Sequence, residues 1–144
     1  MYHQGNLDDW WFKYSTQYEK FKIEKEQFEK FPLKNGLTKG DIIFVWNRSK
    51  PKIGDIIIFN PNSELAKYPI IHRIVTENPT GTKGDNGRTN SAQLNGNNQE
   101  KIDETEISDE QIIGKSIFKI PAVGWIKLVF FEFARPKGQR GFCY

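Results

Sequence analysis

The chain contains a single cysteine, Cys143, among its 144 residues, so no internal disulfide can form. It sits beside the C-terminus, far in sequence from any histidine–acid pair, and no pattern marks it as a nucleophile. Histidine is nearly as scarce. His3 and His72 are the only two, and with one cysteine they make no ligand cluster at metal-binding spacing, so neither a metal nor another cofactor is expected. Long apolar runs are missing as well. The most apolar stretch, Ile120 to Phe133, is broken by Lys127 and Glu132, whereas a spanning helix needs about 20 mostly apolar residues. Met1 leads into Tyr2-His3-Gln4-Gly5 with no basic-then-apolar leader pattern. Gly84-Asp85-Asn86-Gly87 lacks the strand, glycine-rich turn and Lys-Ser/Thr of a phosphate loop. Neither sign of charge dominates: 21 Lys and Arg face 18 Asp and Glu, a net charge of +3, so no nucleic-acid partner is expected. Only the C-terminal end is biased, with Lys127, Arg135, Lys137 and Arg140 against Glu132. Such a basic tail is either solvated or in contact with an anionic lipid surface.

What the chain has in quantity is aromatic bulk. Its 11 Phe, 5 Tyr and 4 Trp, within 37% hydrophobic residues, suffice for one compact core in one domain. Asp8 to Phe21 reads as an amphipathic helix. Asp8 and Asp9 suit its N-terminus, and Trp10, Tyr14, Tyr18 and Phe21 recur on one face as a packing stripe. Glu24 to Lys30 forms a second short helix, stopped before Pro32. From residue 37 the pattern turns to strand. Asp41–Trp46 and Asp55–Asn60 are short β-branched runs, each entered through a Gly-Asp pair in which Gly permits the turn and Asp can bond its own backbone. Pro69–Val75 is a third strand. Residues 76–111 are rich in Asn, Gly, Thr and Glu and read as a long excursion, before Ile112–Ile120 returns to strand. The expected fold is therefore mainly β. Residues 1–36 form a helical, aromatic segment, 37–133 the β core with its 76–111 excursion, and 134–144 the basic tail.

Two places could carry chemistry. On a strand, His72 shares a face with Ile70 and Ile74, while Arg73 points the other way with Ile71 and Val75. An imidazole on an otherwise apolar face is either a satisfied structural histidine or a functional one. Thr82-Lys83-Gly84-Asp85-Asn86-Gly87 reads, taken alone, as a tight turn carrying Asp85.

Taken in order with their neighbours, these pieces are more specific. The order runs Leu37-Thr38-Lys39-Gly40-Asp41, Pro51-Lys52-Ile53-Gly54-Asp55-Ile56-Ile57-Ile58-Phe59, Ile71-His72-Arg73-Ile74-Val75 and Thr82-Lys83-Gly84-Asp85-Asn86. It ends with Ile113-Gly114-Lys115 and Ile120-Pro121-Ala122-Val123-Gly124-Trp125-Ile126. The series covers about two thirds of the chain and resembles signal peptidase I of the branch shared by archaea and the endoplasmic reticulum, which pairs its serine with histidine. The bacterial branch uses lysine there, and His72-Arg73 fits the histidine branch.

The resemblance implies a signal-peptidase/LexA-like β-fold with an N-terminal amphipathic helical insertion. It implies a membrane-anchored serine endopeptidase, its catalytic domain on the extracytoplasmic side, that removes signal peptides from secreted precursors bound as extended strands. His72 would be the general base, and Asp85 the residue that orients it or stabilises the fold around it. The family's nucleophile lies in a Ser-Met pair upstream of the first Gly-Asp. Phe31-Pro32-Leu33-Lys34-Asn35-Gly36-Leu37 holds no serine, and in a short alignment Pro32 takes its place. A longer family form continues from Ser-Met through a His-containing turn and an acidic-Trp-Trp segment. Met1-Tyr2-His3 and Asp8-Asp9-Trp10-Trp11 match it. On that alignment the serine is expected immediately before Met1, with the anchor ahead of it, and the chain as written is inactive. Ser15, Ser49, Ser63, Ser91, Ser108 and Ser116 lack the Met and Gly-Asp context. Reticulum-type members carry a second acid shortly after the Asp85 position; Arg88-Thr89-Asn90-Ser91 stands there, leaving Asp85 the one carboxylate that matches by position. The competing reading is a non-catalytic homologue that binds extended peptides. The self-cleaving repressors share the β-fold but expect a Ser–Lys pair, and a basic β-module for nucleic acid would need an aromatic and basic surface.

Overall fold

A computed structural model describes residues 6–124. The apolar stretch beyond Gly124, the tail 134–144, Cys143, His3 and Met1 lie outside the described residues.

The first helix, Leu7–Tyr14 (α1), starts on Asn6, whose side chain accepts a hydrogen bond from the Asp9 amide at 2.8 Å. After a single turn residue, Ser15, the chain winds on as Thr16–Glu19 (α2). It stops where Lys22 takes a left-handed conformation (φ 57°) and the Ile23 amide reaches back to the Tyr18 carbonyl. Lys25–Phe28 (α3) is shorter than the expected 24–30. Trp10, Tyr18 and Phe28 meet with ring centroids 5.1–5.5 Å apart, and Trp11, outside the expected stripe, joins them. Phe21 and Tyr14 pack on the rim of this cluster.

The rest is mainly antiparallel β sheet, as expected. Ile42–Trp46 (β1), Ile56–Phe59 (β2), Ile70–Glu77 (β3), Thr80–Lys83 (β4) and Ile112–Ile120 (β5) form one five-stranded sheet in the order β1-β5-β2-β3-β4. The two Gly-Asp turns are built alike. Asp41 accepts from the Thr38 amide at 2.9 Å and Asp55 from the Lys52 amide at 3.0 Å, and Gly40 and Gly54 both sit at φ 92°. Partial burial pushes the Asp41 carboxyl up, but hydrogen bonds from Lys119 and Thr38 hold it below its ordinary value. A β-carbon at Gly54 would also strike the Phe31 ring.

One boundary differs from the sequence reading. The excursion does not begin at residue 76. β3 runs on to Glu77, and Thr80–Lys83 pairs back on it, with Arg73 opposite Lys83 and Ile74 opposite Thr82. Pairing and burial make this polar segment a strand; its own composition does not.

The pleat of β3 divides the core. Arg73 and Val75 face the aromatic helical segment. His72, Ile74 and Ile70 face the other side, where Ile57, Phe59, Ile107 and Ile112 gather beneath the 84–111 excursion.

Candidate active site

His72 stands on β3 opposite Ile57, its side chain 14% exposed. Its Nδ1 meets Glu104 Oε1, and Glu104 is fully buried. The Nε2 edge turns toward Gly84 so closely that a β-carbon there would lie 2.6 Å from Nε2 and 2.7 Å from Asn90 Cγ. The backbone thus approaches the imidazole where only glycine leaves room.

Asp85 follows directly, but its hydrogen bonds run elsewhere. Arg73 donates to it from Nε (3.1 Å to each oxygen) and from Nη2 (2.8 Å), and Tyr18 donates from its hydroxyl at 2.7 Å. The Asp85 carbonyl accepts from Trp10 Nε1 at 3.2 Å. Arg73 then spends its remaining donors on the carbonyls of Pro32, Gly54 and Leu33, with its guanidinium against the rings of Phe28 and Phe31. The carboxylate at Nδ1 of His72 is therefore Glu104, and Asp85 stands within a buried network on the opposite face of β3.

No acid stands at 88–91, as the sequence shows, and the carboxylate beside His72 comes from farther along the chain. Glu104 arrives from the excursion, well past the Arg88–Ser91 stretch where an acid was sought. It is buried together with Ile102, two residues before it, and no local pattern in the sequence marks it. Lys83, also overlooked, is fully buried opposite Arg73. It donates to the Gly84 carbonyl at 2.9 Å and lies over the Tyr18 ring. Burial pushes its ammonium down to about 8, a fall that the nearby Asp85 and Glu104 moderate and Lys20 reinforces. Tyr18 moves the other way: burial, then Asp85, push its phenol well above its ordinary value. Ser116 is buried on β5, next in the chain to Lys115. Because Lys115 pairs with Ile57 on the His72 face, Ser116 points to the opposite face. A surface cleft of about 240 Å³ between Trp46, Arg48, Lys50, Asp109 and Lys115 does not include His72.

An imidazole anchored through one nitrogen by a carboxylate can take a proton on the other, which is the arrangement of a general base. Comparison with known proteins shows what the chain is similar to. The chain is 32% identical over 103 residues to the signal peptidase complex catalytic subunit sec11 of Sclerotinia sclerotiorum, covering 65% of this chain and 56% of the relative. It is 30% identical to the subunit of the same name from Penicillium rubens (65% and 54%) and 30% identical to that of Pyricularia oryzae (65% and 56%). The chain is similar to these signal peptidase catalytic subunits over 101–103 residues. It spans about half the length of the curated relatives it matches. No family model matches the chain, and no solved structure matches it. Among the described residues, no helix is long and apolar enough to cross a membrane.

Proposed function

We propose that this chain carries the general-base half of a signal peptidase I-type serine endopeptidase. In this reading His72 Nε2 takes the proton of a serine hydroxyl supplied directly ahead of Met1. The serine oxygen attacks the peptide carbonyl, and the imidazolium returns the proton to the leaving amine. The substrate is a precursor bound as an extended strand, with small side chains ahead of the cut. The observation that carries the reading is the binding of Nδ1 by a buried carboxylate, which leaves Nε2 as the basic nitrogen. The similarity to subunits named for signal peptidase catalysis supports it.

The same reading accounts for an exposed apolar face. Ile42, Phe44, Phe118 and Ile120 lie together where β1 pairs with β5, each about two fifths exposed, with the Phe44 and Phe118 rings stacked at 4.1 Å. A membrane surface is the partner that this face fits, since its substrate emerges from a bilayer.

The test is to add the Ser-Met pair by placing a serine before Met1, and to offer a signal peptide with small residues before its cleavage point. Cleavage that His72→Ala abolishes is the expected result. A folded, serine-bearing chain that binds the peptide without cutting it would instead establish a peptide-binding module.

A further inference from the structure

The sequence places one carboxylate, Asp85, near the histidine by motif. The fold places two, on opposite faces of β3, in different surroundings. Asp85 is held by a guanidinium through three hydrogen bonds and by a phenol. Glu104 receives no guanidinium. Its side chain is fully buried, with Oε1 at His72 Nδ1, a long contact of 3.5 Å from Thr82 Oγ1, and Oε2 accepting from the Leu94 amide at 3.3 Å. A buried carboxylate is costly to keep in this setting, and a buried ionic pair is a poor device for stability alone.

The chain nevertheless builds a structure to put Glu104 there. Residues 94–104 fold back on themselves. Leu94 and Glu104 bond through backbone at 2.9 Å, Asn95 bridges Asp103, and Gly96 bonds Ile102 at 2.9 Å. Asn98 closes the end, accepting from the Ile102 amide at 3.0 Å and donating to its carbonyl at 2.6 Å. The returning arm then lies along the outer edge of β4: the Glu104 carbonyl accepts from the Thr82 amide at 2.9 Å and from Gln93 Nε2 at 2.9 Å, and the Ile107 amide donates to Thr80 at 2.8 Å. Both backbone groups of residue 104 are fixed, so its side chain enters the core at one angle.

We infer that Glu104, delivered by the 94–104 hairpin, is the positioning residue that holds the His72 imidazole in its Nδ1–H form, while Asp85 and Arg73 serve the scaffold. This rests on the reading of His72 as a general base. Donation from Nδ1–H to a carboxylate fixes both the tautomer and the plane of the ring, and leaves the lone pair on Nε2. The excursion thereby supplies the acid that the stretch 88–91 lacks.

The experiment needs no nucleophile. The full chain has two histidines, so ¹⁵N-labelled imidazole gives two ring spin systems, and His3→Ala assigns them. Neutral His72 in the folded chain is expected as the Nδ1–H tautomer. In Glu104→Met, which keeps side-chain length and loses the acceptor, the tautomer ratio should fall on the order of tenfold, as expected for loss of a hydrogen bond to a charged group. Asp85→Asn should leave the ratio unchanged. Asn98→Ala, which loosens the hairpin away from the ring, should shift it part of the way. An Nε2–H tautomer in the unmutated chain overturns the inference without any variant, and so does a ratio that responds to Asp85→Asn but not to Glu104→Met. If the tautomer behaves as stated and the serine-bearing chain never cleaves, the protease reading falls and the positioning role of Glu104 stands.

Discussion

Arg73 binds Asp85 through Nε and Nη2 in a site that excludes solvent from both side chains. The pair joins β3 to the turn that follows β4. Through Tyr18 and the carbonyls of Pro32 and Leu33 it also ties the aromatic helical segment to the sheet. Removing one member strands the other. Arg73→Met should destabilise the fold by about 3–5 kcal/mol in urea denaturation. Arg73→Met combined with Asp85→Leu should recover part of that loss, since the Asp85 carboxylate is then not left without its guanidinium. A double variant whose loss equals the sum of the Arg73→Met and Asp85→Leu losses would show that the pair contributes no coupling.

Lys83 gives a pH dependence of definite sign. Its folded value, about 8, lies below the unfolded value of 10.5. Between the two the unfolded chain holds a proton that the folded chain has released, so this group makes stability rise with pH across that window. Tyr18, raised well above 10.0, acts in the opposite sense, contributing stability that is present below pH 10 and lost above it. The clean window is therefore pH 8 to 10. There the stability of the unmutated chain should rise relative to Lys83→Met by about 2–3 kcal/mol, at most about 1.4 kcal/mol per pH unit. Parallel stability curves for the two proteins would mean that Lys83 does not titrate in this range.

Gly84→Ala places a methyl group within 2.6 Å of His72 Nε2 and 2.7 Å of Asn90 Cγ. One of these side chains must move. The expected cost is about 1–3 kcal/mol of stability, accompanied by a changed His72 ring spectrum and, in a serine-bearing chain, loss of cleavage. An unaltered melting temperature and ring spectrum would place the backbone farther from the imidazole than described.

The β1–β5 face is tested on vesicles. Phe44→Ser with Phe118→Ser removes the stacked pair from an exposed position, so folding should change little while partition onto vesicles of phosphatidylcholine with phosphatidylserine drops several-fold. Equal partition of both proteins would assign the face to something other than lipid.

The strands β1, β2, β3 and β5 and the opposed faces of His72 and Arg73 were legible because β-branched runs and a period of two write them directly into the chain. The helix stripe was legible for the same reason at its own period. β4 was not. Thr80-Gly81-Thr82-Lys83 has no apolar alternation, and its strand form comes from pairing with β3 on one edge and the 104–107 backbone on the other. Glu104 was hidden for a related reason. In a polar stretch that also holds Glu100, Asp103 and Glu106, nothing local distinguishes the acid that will be buried. The hairpin's backbone bonds make that selection. Which side chain Asp85 meets was not legible, because sequence shows that Arg73 and His72 are adjacent without showing which one a distant carboxylate will meet.

That adjacency has a consequence for folding. Were β3 to slip by a single residue, guanidinium and imidazole would each turn to the opposite face of the sheet, and the imidazole would stand on the side of the slot against Phe28 and Phe31. That slot, lined by the carbonyls of Pro32, Leu33 and Gly54, suits a five-donor fork and leaves an imidazole unable to satisfy it. The aromatic segment at the start of the chain thereby acts as the gauge that rejects the misaligned sheet.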